Sequence, residues 1–216
     1  PCLSSDSDPL FSETLEFVKT HYDHYGDNAA QVSPTDGYNR LCETSTCSHK
    51  GTPDREWRGR YSDYVHGWEN KVATELYKTH PDKMIVGSAY GYFALPPLNI
   101  ESFSPNYTVR IARWRTWLLN PDSKNYWEDL RNGWLQKISS DNKIYYSDYY
   151  LHNRNHEHFS PAYQGIPALF PHLIKENLST LKGISGGEFI EVYRNGSYDY
   201  EWHALATMHL NMYVTA

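Results

Sequence analysis

Hydrophobic positions recur along this chain with two periods, and the alternation between them predicts the fold. Leu10, Phe11, Leu15, Val18, Tyr22 and Tyr25 follow near helical spacing. Asp8-Pro9 supplies an N-cap with proline at the first helical position, and Gly26 supplies a stop. A short strand over 29–33 follows, then a long polar loop over 34–60. Val65, Trp68, Val72 and Leu76 share one face of a second helix, roughly 61–79, which Pro81 stops. The run "KMIVGSAYGY", 83–92, reads as the second strand, ended by Pro96-Pro97, and "YTVRIARW", 107–114, as the third. A third helix over about 124–138 turns Trp127, Leu130, Trp134, Leu135 and Ile138 inward. "KIYYSDYYL", 143–151, is a fourth strand. A fourth helix over about 167–181 carries Leu169, Phe170, Leu173, Ile174 and Leu178. "GISGGEFIEVY", 183–193, is the last strand, and a final helix spans about 200–214.

Strands alternating with helices predict an α/β fold on a parallel sheet, with residues 1–216 as one domain. Parallel strands covered on both faces are near-continuously apolar. Several strands here are only partly so and end in polar or aromatic residues, as strands do when their C-terminal ends line a site. Five such strands fall short of the eight that close a barrel, so either three βα units lie upstream of Pro1 or the sheet is smaller and open. Open edges need cover from missing chain, from a partner or from another copy. No internal repeat or low-complexity segment is apparent.

Composition narrows the partners. No run of 18 apolar residues exists, so no membrane span is expected. The net charge of -6, without a basic run, argues against nucleic acid. Aromatic content is high, with 19 Tyr, 7 Trp and 7 Phe, much of it beside Asn, Asp and His in loop-like segments. Such rings stack on the apolar faces of sugars while their polar tips bond hydroxyls; the alternative is core and interface packing. Cys42 and Cys47 are spaced to close a small disulfide, to hold zinc with Cys2 and His49, or to remain thiols. Sequons at Asn106, Asn177 and Asn195 fit an exported, glycosylated protein. The opening Pro1-Cys2-Leu3-Ser4 is neither a signal peptide nor an initiator Met, which points to a processed chain or a fragment.

If all five strands run parallel, carboxylates and rings from distant segments converge at their C-terminal ends. Asp36 follows the first strand and Tyr90 and Tyr92 end the second. Trp114 ends the third, beside Arg113 and Arg115. Asp148, Tyr149, Tyr150 and His152 end the fourth, and Glu188 and Glu191 lie on the fifth, Glu191 being the weaker choice. Cleaving a glycosidic bond commonly takes two carboxyl groups, one to protonate the leaving oxygen and one as nucleophile or base. Asp36 is the expected general acid, with Glu188 or Asp148 as partner; Tyr90, Tyr92, Trp114, Tyr149 and His152 shape the sugar subsites. Each has a plainer role: a turn for Asp36 before Gly37, tyrosine hydroxyls satisfying a buried Asp148, and a bulge at Gly186-Gly187 beside Glu188. The loop "HNRNHEHF", 152–159, places His156 and His158 beside Glu157, but spacing fixes no third ligand, so no metal and no cofactor are expected. Two functions lead, a glycoside hydrolase or a non-catalytic carbohydrate-binding or structural protein, and a metal-dependent hydrolase using the histidine loop is a third, weaker one.

An ordered series of segments covers nearly the whole chain: "CLSSDSD", "VSPTDGY", "VHGWENKVATELYKTHPDKMIVGSAYGYFALPP", "YYSDYYLH" and "FPHLIKENLSTLKGISGGEF". It resembles a domain family of formally unknown function in secreted bacterial polysaccharide-degrading proteins, allied to TIM-barrel glycosidases of the α-glucuronidase and hexosaminidase type. The resemblance implies the later five βα units of a barrel, with the first three absent. It implies an exported, secreted or cell-surface, carbohydrate-active protein with an acidic residue at Asp36. The family often carries a C-x-C-x-x-C cluster where this chain has only Cys42 and Cys47, a departure that counts against zinc.

Overall fold

The computed structural model describes residues 3, 9–35, 50–149 and 170–191. Among them are four helices, α1 (Pro9–Tyr25), α2 (Ser62–Tyr77), α3 (Pro121–Leu135) and α4 (Pro171–Leu181). Five strands, β1 (Ala29–Gln31), β2 (Met84–Ala89), β3 (Tyr107–Ala112), β4 (Ile144–Tyr149) and β5 (Ser185–Glu191), form one parallel sheet in the order β1-β2-β3-β4-β5. The fold is mixed α/β and consistent with part of a β/α barrel. Contacts divide the chain into two compact units, Pro1–Ala112 with Asp129–Ile144, and Arg113–Glu128 with Tyr145–Ala216.

In the first unit, period-two burial is plain along β2. Ile85, Gly87 and Ala89 are buried, alternating with half-buried Met84, Val86 and Ser88. The register pairs Ile85 with Tyr107, Gly87 with Val109 and Ala89 with Ile111, so β3 continues the same dry face. α2 lies against β2 and buries Val65, Trp68, Val72 and Leu76 as its spacing predicts. It also buries Ser62, His66 and Glu69, which a stripe of apolar residues alone does not announce. Gly87 leaves room for side chains of α2 and β3: a β-carbon there would lie 2.5 Å from Glu69 Oε2 and would overlap the Tyr107 hydroxyl. α1 buries Phe11, Val18 and Tyr22 and ends at Gly26, whose φ of 71° and bond from its N–H to Tyr22 O make the expected stop. Tyr25, also at helical spacing, is 69% exposed and packs beside His21 and His24 at the helix end.

Several boundaries differ from the sequence expectation for local reasons. β2 stops at Ala89 because Gly91, at φ 50°, opens a 3-10 turn over Gly91–Phe93. β3 stops at Ala112, before a 3-10 turn over Arg115–Leu119. α3 begins at Pro121 rather than 124, because Asn120 Oδ1 accepts the N–H groups of Asp122 and Ser123 and caps it. α4 begins at Pro171, later than the expected 167. The expected helix over 200–214 lies outside the described residues.

In the second unit, α4 packs on the Arg115–Leu119 turn and buries Ile174 and Leu181. At the start of β5, the Ser185 hydroxyl donates to Gly187 O and accepts from Gly187 N–H. Gly186 lets the backbone come close to Tyr145, whose ring carbons would stand 2.8 Å from any β-carbon there.

Candidate functional site

Among the described residues, each unit holds a concentration of chemistry. In the first it is an aromatic surface on segment 57–61 and the 3-10 turn that follows β2. Trp57, 45% exposed, meets Tyr92 with centroids 5.3 Å apart in a T-shaped pair. Tyr92 stacks on buried Tyr61 at 5.6 Å, and the Arg58 guanidinium lies 4.5 Å from the centre of the Trp57 ring. Tyr90 and Tyr92 pack on the core of Tyr61, Val65 and Phe93.

The backbone beneath these rings is fixed by hydrogen bonds. Tyr61 N–H donates to Tyr92 O at 2.9 Å and Leu95 N–H to Arg58 O at 2.9 Å, tying the two segments together. His66 Nε2 donates to Phe93 O at 2.7 Å, and Trp134 Nε1 to Ala94 O at 2.9 Å. His66 is held in turn by Glu69, with Nδ1 and Oε2 2.7 Å apart, and the Tyr107 hydroxyl donates to the same oxygen at 2.7 Å. Burial, then the charge and hydrogen bond of Glu69, hold the Tyr107 hydroxyl well above its ordinary pKa. Ser33 closes the network by donating to Glu69 Oε1 at 2.7 Å. His66 and Glu69, neither of them a sequence candidate, thus position the turn that carries Tyr92. The available signal was a His and a Glu three residues apart among the buried positions of α2.

In the second unit, two arginines and two carboxylates are buried together: Arg113 and Arg115 follow β3, Asp148 is next to last in β4, and Glu188 stands midway along β5 rather than at its end. Arg115 N–H donates to Asp148 Oδ1 at 2.9 Å, and Arg115 Nε lies 3.2 Å from Asp148 Oδ2. Arg115 Nη2 donates to Glu188 Oε1. Both guanidiniums also reach Asn177 Oδ1, from Arg113 at 2.6 Å and from Arg115 at 3.2 Å. Arg113 lies 4.4 Å over the Tyr146 ring. Burial pushes the Asp148 carboxyl up from 3.8, and Arg115 and Arg113 pull it back only in part. Burial also lowers the Arg113 pKa.

Asp148 and Glu188, the two alternatives expected as partner to Asp36, both bond Arg115. Trp114 is half-buried and packs at 4.5 Å on Trp117, which stacks on Trp127 at 5.4 Å. Tyr149 ends β4. Asn106, one of the three sequon asparagines, is 1% exposed, accepts the Ser104 hydroxyl at 2.7 Å and donates to Lys83 O at 3.2 Å. Asn177, also read as a sequon, is half-buried with its Oδ1 occupied by the two arginines. Asp36, Cys2, Cys42, Cys47, His49, Tyr150, His152, His156, His158 and Asn195 lie outside the described residues. Among the described residues there is no group of three His, Cys, Asp or Glu side chains suited to a metal ion, and no helix long and apolar enough to cross a membrane.

The chain belongs to the family described as a domain of unknown function (DUF4838), whose model matches residues 1–214. No curated protein and no solved structure matches it.

Proposed function

We propose that this chain acts on glycans, and that the first unit binds sugar rings on the surface built by Trp57, Arg58, Tyr90 and Tyr92. The observation that carries the reading is the half-open Trp57 ring, held by Tyr92 and Arg58 beside the C-terminal end of β2. A large indole left this open costs solvation, and its rigid mount means little entropy is lost when a flat C–H face covers it. An exported location, as part of an extracellular polysaccharide-degrading protein, goes with this reading, as does cover of the open sheet edges by further chain or another copy. The test is affinity electrophoresis of the chain through gels containing xylan, mannan, β-glucan, pectin or chitosan. At least one polysaccharide retards the wild type, and Trp57→Ala and Tyr92→Ala abolish the retardation. Unretarded migration in every gel rejects the proposal.

A second reading is favoured by Asp148. A carboxyl raised by burial holds its proton nearer neutral pH, which is what a general acid in glycoside hydrolysis needs, and Glu188 beside it is the candidate partner carboxylate. Release of reducing ends from the polysaccharide that binds, lost in Asp148→Asn and in Glu188→Gln, supports hydrolysis. Binding with no release leaves a non-catalytic carbohydrate-binding protein.

A further inference from the structure

An open cleft of about 590 Å³ lies within the second unit, between α4 and β5. Its size falls inside the range of roughly 300–1,000 Å³ usual for small-ligand sites. Lys175, Leu178, Ser179 and Lys182 line it from α4 and the residue after, and Ser185 and Glu188 line it from β5. We infer that this cleft is a second saccharide subsite, in which Glu188 accepts a hydrogen bond from a sugar hydroxyl. The inference rests on the reading of the protein as glycan-acting and adds a site that the aromatic surface does not contain.

Three observations carry it. The Glu188 side chain is 6% exposed, and its Oε1 is taken by Arg115. Its Oε2 is buried and has no hydrogen-bond partner among the described residues. A buried carboxylate oxygen without a donor is costly, so the site calls for one. The second observation is charge. The Glu188 carboxylate is already paired with Arg115, which leaves Lys175 and Lys182 as donors on the wall; sugar hydroxyls and ring oxygens can accept from the lysines while one hydroxyl donates to Glu188. The third is shape chemistry. Leu178 offers an apolar wall to a ring's C–H face, while the Ser179 hydroxyl, donating to Lys175 O, keeps acceptor capacity toward the cleft. The Ser185 hydroxyl, bonded to both the N–H and the carbonyl of Gly187, fixes the Gly186-Gly187 backbone leading into Glu188, so the carboxylate is set before any ligand arrives.

The experiment is a two-dimensional amide NMR titration of the whole chain with D-glucose, D-galactose, D-mannose, D-xylose and N-acetyl-D-glucosamine. Sodium sulfate and ammonium chloride serve as charge controls. At least one sugar shifts the Gly186 and Gly187 amides saturably while neither salt does. Glu188→Gln weakens that binding at least tenfold. Because Glu188 is tied to Arg115, Ser179→Trp is the second variant: it plugs the cleft from an exposed helix position and abolishes the shifts. Trp57→Ala leaves them unchanged. No saturable shift with any sugar, equal shifts with the salts, or shifts that survive Ser179→Trp overturn the inference. A response of the Trp57 indole alone sinks the cleft and spares the aromatic surface; a response of Gly186 and Gly187 alone does the reverse.

Discussion

Replacing Arg115 with Met removes a side chain that bonds both Asp148 and Glu188. Arg115 is fully buried, Asp148 is 1% exposed and the Glu188 side chain 6% exposed, so neither carboxylate gains water in exchange. Breaking a buried ion pair by removing one partner costs about 3–5 kcal/mol. With a urea m-value of about 1–3 kcal/mol/M, the unfolding midpoint falls by about 1 M or more. The deficit also depends on pH. Because burial raises Asp148 above 3.8, the folded chain holds this proton more tightly than the unfolded chain does. Its contribution to stability is therefore greatest below the unfolded value and is lost as pH rises through the folded value. Arg115 supplies the larger downward pull on that carboxyl, so its removal extends the loss to higher pH. Urea denaturation followed by circular dichroism, at about pH 4.5 and pH 7, shows a larger deficit at the higher pH. The quadruple variant Arg113→Met, Arg115→Met, Asp148→Asn, Glu188→Gln recovers most of it, since with both arginines and both carboxylates replaced the cluster is uncharged and leaves no unpaired ion. A deficit below about 1 kcal/mol, or one equal at both pH values, refutes the reasoning.

Other outcomes follow from the first unit. Gly87→Ala drives a methyl into the Tyr107–Glu69 hydrogen bond and costs about 2–5 kcal/mol, from overpacking and a disturbed buried carboxylate; a change under about 1 kcal/mol in urea contradicts that packing. Burial raises Tyr22 to about 12, so the unfolded chain, ionising from 10, gains on the folded one as pH rises through that window. Tyr22→Phe flattens the alkaline loss between those values, at a cost of about 1 kcal/mol at neutral pH for the bond to Met84 O; an unchanged alkaline slope excludes Tyr22 as its source.

Much of the scaffold was legible because it depends on local rules. Val65, Trp68, Val72 and Leu76 name the buried face of α2, Gly26 stops α1, and β2 alternates with period two. What was not legible depends on contacts between distant segments. Trp57 lay in a stretch read as polar loop, and only its bonds to the turn after β2 make it part of a surface. Arg115 was noted as a neighbour of Trp114, yet its role follows from β4, α4 and β5 meeting around it. Asn177 matched a three-residue pattern that carries no information about burial, and its carbonyl instead serves two guanidiniums. Glu188 and Asp148 were named because acidic residues at strand ends are conspicuous; that one arginine holds both was not encoded in any spacing.

The central claim is that the rings around Trp57 take up a sugar face. Isothermal titration calorimetry with a soluble oligosaccharide of the polysaccharide that retards the wild type tests it most directly. Trp57→Ala, with its circular dichroism spectrum unchanged, is predicted to bind at least about tenfold more weakly, the equivalent of roughly 1.4 kcal/mol. Equal affinity for wild type and variant would contradict the account.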